Sequence, residues 1–178
     1  ALIVRWAVIV NGPPGSGKST LAGPLAERLG VPLLAKDAVK ETLLDELGYA
    51  DRAASRAIGA ASGEVLWTVL AGCPRGAVVE SWLAPSIRDI VRSGLDRAAI
   101  DLVVEVWCDC PPDEASRRYA ERERHPGHFD AALLPDLPDV LRTAAPLALG
   151  AVLRVPTHRP VDVEALTVRV VDLLSDDR

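Results

Sequence analysis

A continuous apolar run, Trp6–Val10, closes at Asn11-Gly12 and passes without a spacer into Gly12-Pro13-Pro14-Gly15-Ser16-Gly17-Lys18-Ser19, which opens directly into a helical pattern. Unbroken β-branched runs of this kind mark a strand buried on both faces. Such a strand needs a sheet covered by helices on both sides, so the junction restricts the chain to α/β architectures. The octapeptide matches G-x-x-x-x-G-K-[ST] in full, in the strand-to-helix context that its mechanism requires. Glycines let the backbone curl so that successive N–H groups point at phosphate oxygens. The start of the helix adds unsatisfied donors and the positive end of its dipole. Lys18 is expected to reach the β and γ phosphates and Ser19 to bind Mg²⁺, with Thr20 completing the set that holds the nucleotide. A glycine-rich turn that matches by chance would not be expected at this junction. The signal speaks for a nucleoside triphosphate and is silent about what receives a phosphate.

The rest of the chain repeats the strand-helix alternation. Strands are expected at Pro32–Ala35, Ala77–Glu80, Asp101–Cys108 and Ala151–Val155. Helical patterns cover Lys18–Leu29, Asp37–Leu47, Ala50–Leu70, Ser86–Arg92, Asp113–Arg124, Ala131–Ala144 and Val161–Leu174. That order implies right-handed βαβ units and a parallel sheet, within one domain spanning 1–178. Gly23-Pro24 falls inside the first helix, where a kink or tightened turn is expected, not a stop. His125–Pro138, rich in Pro and Gly, is the expected mobile loop.

Charge and cysteine content narrow the classes. A balance of 20 basic against 25 acidic residues, net −5, argues against a broad nucleic-acid footprint. Only Lys18, Lys36 and Lys40 are lysines, all in one N-terminal stretch. Cys73, Cys108 and Cys110 are odd in number and form no CxxC, so a disulfide framework is not expected. No apolar run reaches the ~20 residues of a membrane span, and the opening ALIVRWAVIVNG lacks a basic leader and a cleavage site. A soluble, cytoplasmic protein, monomer or homodimer, is expected.

GPPGSGKSTLA, then KDAVKETL, then VVESWLAPSIR, then VEVWCDCPPDEASRRYAERER, resemble in order the motifs of the small P-loop kinases. This is the branch of chloramphenicol phosphotransferase, the zeta toxins and the kinase domain of polynucleotide kinase, with gluconate and shikimate kinases more distant. The resemblance runs from Trp6 to about Leu174. It implies a P-loop NTPase-type three-layer α/β/α fold, with a five-stranded parallel sheet in the order 2-3-1-4-5 and a helical lid over about 113–138. It also implies ATP and Mg²⁺ as cofactors and a small-molecule hydroxyl as acceptor.

Candidate site residues follow from both lines of reasoning. Asp37 follows the second strand at the sheet's carboxyl edge, where it could cap the next helix or take the proton of an attacking hydroxyl. The resemblance favours the base. Lys36 and Lys40 flank it and could steady an anionic substrate or the transferring phosphoryl, or else face solvent. Glu80 ends the third strand and is the candidate to hold Mg²⁺ or the acceptor, although the family more often carries Asp there. Trp82 either lines an acceptor pocket or packs in the core. Arg88 resembles a substrate-facing position. Arg118 and Arg122, four apart, could share a helix face and clamp the γ phosphate, whereas Arg117 and Arg124 are expected at the surface. His128 could approach the acceptor from the loop; the spacing of His125 and His128 with Cys108 and Cys110 fits no common zinc site. Arg159, between the last strand and the last helix, could stack on the base or sit in a plain turn. Two rival functions share these features, a 5′-hydroxyl polynucleotide kinase and a nucleotide switch with no small acceptor.

Overall fold

The computed structural model describes residues 4–176. Residues 1–3, the start of the opening stretch, and residues 177–178, all within the expected domain limits, lie outside the described residues. Five strands, β1 (Trp6–Asn11), β2 (Leu33–Ala35), β3 (Gly76–Glu80), β4 (Leu102–Asp109) and β5 (Ala151–Pro156), form one sheet in the order β2-β3-β1-β4-β5. Every neighbouring pair is parallel. Val8 on the central strand stands beside Val78 and Val104, so the most apolar rows are aligned.

The period of two along β1 divides the interior into two layers. Val8 and Val10 join Leu25, Val106 and Val170 on the face covered by α1 (Lys18–Leu29) and α7 (Val163–Asp176). Ala7 and Ile9 join Leu66, Leu70, Val79 and Val91 on the face covered by α3 (Arg52–Ala71) and α4 (Arg88–Arg97). Gly94 lets α4 settle onto α3: a Cβ there would sit 2.6 Å from the Trp67 ring. Helix α2 (Lys36–Leu47) lies between α1 and α3 in sequence. A third, smaller cluster of Ala115, Tyr119, Leu137 and Leu141 joins α5 (Pro112–Glu121) to α6 (Leu137–Thr143). No described helix is long and apolar enough to cross a membrane.

Helix α1 keeps the expected bounds, running through Pro24 to a left-handed Gly30. Several other boundaries differ from the sequence reading. The pattern at Ser86–Arg92 becomes a 3-10 turn, Pro85–Ile87, followed by the longer α4. Helix α5 stops at Glu121 because Arg122 turns extended. Ala131–Ala144 is not one helix: Phe129 takes a left-handed φ of 54°, a short turn covers Asp130–Ala132, and α6 begins only at Leu137, with Pro138 in its first turn. The expected loop is folded against its neighbours. Ser55 Oγ on α3 donates to the Gly127 carbonyl at 2.5 Å, and Tyr49 meets the rings of His125 and Phe129 edge-on, each at 5.9 Å.

Candidate active site

The carboxyl edge of β1 becomes the phosphate loop through one buried amide. Asn11 is fully buried; its Nδ2 donates to the Leu83 carbonyl (3.0 Å) and to Glu105 Oε1 (2.9 Å). Its Oδ1 accepts from the N–H groups of Gly12 (2.8 Å) and Leu83 (2.9 Å). Glu105, 1% exposed in the middle of β4, also accepts from the N–H groups of Leu147 and Ala148. This network ties the loop after β1 to the loop after β3.

Gly15 and Gly17 carry φ values of 79° and 86°, accessible to glycine with little strain. A Cβ on Gly15 would lie 2.1 Å from the Ala115 carbonyl oxygen, so α5 packs directly on the loop. Lys18 Nζ folds back to donate to the Pro13 carbonyl at 3.1 Å. Burial holds its ammonium below the ordinary lysine range, opposed first by the Glu80 carboxylate. Ser19 Oγ lies 3.4 Å from Glu80 Oε1, and burial pushes the Glu80 carboxyl upward against the pull of Lys18.

A cleft of about 700 Å³ extends from this loop along Lys18, Ser19, Thr20, Arg118, Arg122 and Arg159. Arg118 is fixed by Glu114 (2.6 Å) and the Thr157 carbonyl (3.0 Å). Arg122 has left the helix but reaches the same cleft, its guanidinium 4.2 Å over the Tyr119 ring. Among the described residues, the buried side-chain polar atoms without a partner are Ser16 Oγ, Arg122 Nε and Thr157 Oγ1. All three lie on the loop or the wall of this cleft. Positive-φ glycines, a half-buried lysine and orphaned donors around one cavity fit a polyphosphate, and the Ser19–Glu80 pair fits a hard cation beside it.

A second cleft of about 190 Å³ adjoins the first, and the two share Lys18 and Arg122. Asp37, half exposed, lines it together with a partly exposed Trp82, Arg124 and His128. Trp82 therefore stands in a pocket wall, its ring 6.4 Å from that of Trp107. Asp37 does not cap α2. The helix starts one residue earlier, at Lys36, and the position before it, Ala35, makes no side-chain cap. Asp37 Oδ2 instead accepts from Arg124. Arg124 also bonds Asp130 at 3.1 Å and lies 3.2 Å from His128 Nε2.

Arg124 is the largest departure from the expected picture: its side chain is only 17% exposed, not a surface residue. Extending the helical period past Glu121 had turned it outward; the extended Arg122 turns it inward. Below it His128 Nε2 lies 2.7 Å from Glu41 Oε1, and His125 Nε2 lies 2.9 Å from Asp45 Oδ1. Asp37, Glu41 and Asp45 thus form an acidic ladder on one face of α2, each rung met by a side chain of the lid.

Other expectations fare differently. Arg88 lines neither cleft: its Nε and Nη2 donate to the carbonyls of Leu147 (2.7 Å) and Ala148 (2.9 Å) in the turn before β5. Lys40 lies along α3, its Cε 3.5 Å from where a Gly59 Cβ would stand, and lines neither cleft described above. Arg117 pairs with Glu114 and Glu121 at the surface, as expected. Sequence reasoning missed Asn11, Glu105 and Arg124; a Glu inside the apolar run of β4 was the available signal, since buried carboxylates are rare and always partnered.

A phosphate-binding loop at the carboxyl edge of a 2-3-1-4-5 parallel sheet, roofed by a helical lid, defines the small P-loop kinase fold. The chain belongs to the AAA domain family, whose model matches residues 8–143. A kinase candidate from Chloroflexus aurantiacus J-10-fl is 28% identical, covers 99% of each chain and superposes with a TM-score of 0.82. The APS kinase of Mycobacterium tuberculosis, solved with AMPPNP and APS, shares the fold at a TM-score of 0.61, with 23% identity over 96% of this chain and 98% of its own. Cytidylate kinase of Ignicoccus hospitalis is 46% identical over 41 residues, which span 23% of this chain and 24% of that enzyme.

Proposed function

We propose that this protein is an ATP-dependent phosphotransferase that moves the γ-phosphoryl group onto a hydroxyl of a small molecule. One observation carries the reading: two clefts, one rimmed by phosphate-binding groups and one holding a free carboxylate oxygen, meet at Lys18 and Arg122. The loop N–H groups and Lys18 bind the phosphate tail of the nucleotide. Arg122, with an unpartnered Nε, stands where negative charge spreads over the transferring oxygens. Mg²⁺ would be held by Ser19 and Glu80, where it neutralises phosphate charge. Asp37 gives Oδ2 to Arg124 and keeps Oδ1 for the proton of the acceptor hydroxyl. Arg159 flanks the far end of the larger cleft, where a base would lie. Three unbridged thiols suit a cytoplasmic setting.

A coupled ADP-release screen against hydroxylated metabolites and antibiotics tests the reading. Asp37→Ala is expected to keep ATP binding while kcat falls roughly 10²–10⁴-fold, and Lys18→Ala to weaken the binding itself. Turnover that no alcohol stimulates, or an undiminished kcat in Asp37→Ala, contradicts it.

A further inference from the structure

We propose that the acceptor is a compact alcohol bearing its own negative charge, and that Lys36 reads that charge; this rests on the phosphotransferase reading above. Lys36 opens α2 and lines the smaller cleft, half-buried. It makes no side-chain hydrogen bond or ion pair with any described residue, unlike the other cation confined to that cleft.

The charge balance isolates it. Arg124 is answered twice, by Asp37 and by Asp130. Lys18 and Arg122 belong to both clefts and face the phosphate tail, with Glu80 beside Lys18 and Asp130 3.5 Å from Arg122. Lys40, one turn along α2, lines neither cleft but adds positive field nearby, since each of the two ammonium groups stands near the other. Among the described residues, Lys36 is therefore the one positive charge confined to the acceptor side that makes no ion pair, and the nearby Asp37 carboxylate is already engaged by Arg124. Burial holds the Lys36 ammonium below the ordinary lysine range, and the Asp37 carboxylate, shared with Arg124, offsets this only in part. A bound carboxylate, sulfate or phosphate group would supply the missing charge and select for anionic acceptors.

Size and lining complete the class. The cleft's 190 Å³ corresponds to roughly six water volumes at ~30 Å³ each, room for a small molecule and not for a polymer strand. Asp37 and Asp130 offer acceptors for hydroxyls, while Trp82 and Leu133 give an apolar wall. The recognised species is a polyhydroxylated small anion.

The test loads the protein with Mg–ADP and titrates it calorimetrically with glycerate, threonate and galactonate, each beside its matching uncharged polyol. The acid is expected to bind at least about tenfold more tightly than its polyol. Lys36→Met should erase that preference and Lys36→Arg retain most of it, with Mg–ATP affinity unchanged in both. Equal binding of acid and polyol, no binding of any acid, or a Lys36→Met variant that loses ATP affinity instead, overturns the proposal; the last assigns Lys36 to the donor phosphate. The same compounds in the ADP-release assay separate the two levels. Charge-selective binding without transfer refutes the phosphotransferase reading and leaves the anion site standing.

Discussion

Asn11→Asp changes almost nothing in shape and reverses the electrostatics of a fully buried polar group in the site. In the native chain the amide satisfies three backbone groups, Gly12 N–H and both polar atoms of Leu83, and supplies a donor to Glu105. Asn11→Ala leaves those three backbone groups unpaired; Glu105 keeps its bonds to Leu147 and Ala148. At about 1–3 kcal/mol per orphaned group, with partial relaxation, a loss of about 3–5 kcal/mol is expected. For a chain of this size that is roughly 6–20 °C in Tm. Asn11→Asp keeps the two acceptor bonds but sets a carboxylate oxygen where the amide donor stood, 2.9 Å from Glu105 Oε1. At pH 7.5 it should be less stable than Asn11→Ala. Two carboxyls sharing one buried site must raise the pKa of one of them, so the folded form binds an extra proton. The penalty should therefore shrink as pH falls toward 5. Urea titrations followed by circular dichroism at pH 7.5 and 5, read as differences from wild type, measure this. An Asn11→Asp variant as stable as wild type at pH 7.5, or one whose deficit is unchanged at pH 5, refutes the reasoning.

Gly15→Ala should remove nearly all Mg–ATP affinity in calorimetry and destabilise by about 2–5 kcal/mol, because its Cβ meets the Ala115 carbonyl at a left-handed φ; wild-type affinity contradicts this. Arg124→Ala should accelerate hydrogen exchange across 124–134 and raise the acceptor KM, with Arg124→Lys in between, since Asp37 and Asp130 lose their shared partner. Unchanged exchange would show that the loop is held elsewhere. Burial, and then the Arg124 guanidinium, hold the His128 imidazole below its usual range. The unfolded chain therefore takes up this proton first, so the contribution of His128 is present above about pH 6.5 and is lost as pH falls through the folded value. His128→Gln should flatten that decline in urea midpoints between pH 7.5 and 5.5, and an unchanged slope counts against it.

The sheet and the phosphate loop were legible because both are local patterns: unbroken apolar runs, glycines at fixed offsets, and strand-helix alternation. The second cleft was legible only in part. Asp37 and Trp82 could be placed by their position after strands. Arg124 could not, because its role depends on where α5 ends, and that end is set by partners on α2 that are distant in sequence. The same holds for Arg88: a turn of the chain nearly sixty residues away binds its guanidinium. Asn11 and Glu105 needed no tertiary knowledge to be noticed, only the observation that a carboxylate inside an apolar strand must be answered by something.

The ladder on α2 also constrains how this chain can vary. Rungs four residues apart on a helix of about 3.6 residues per turn drift by roughly 40° at each step, so the row of contacts winds slightly around α2. Adjacent residues Arg124 and His125 reach the first and last rungs, and His128 returns to the middle one. Substituting any single rung leaves two fastenings. Inserting or deleting one residue between Asp37 and Asp45 rotates part of the set by about 100° and uncouples the lid from the helix. For holding the lid, the spacing along α2 therefore matters more than the identity of Glu41 or Asp45.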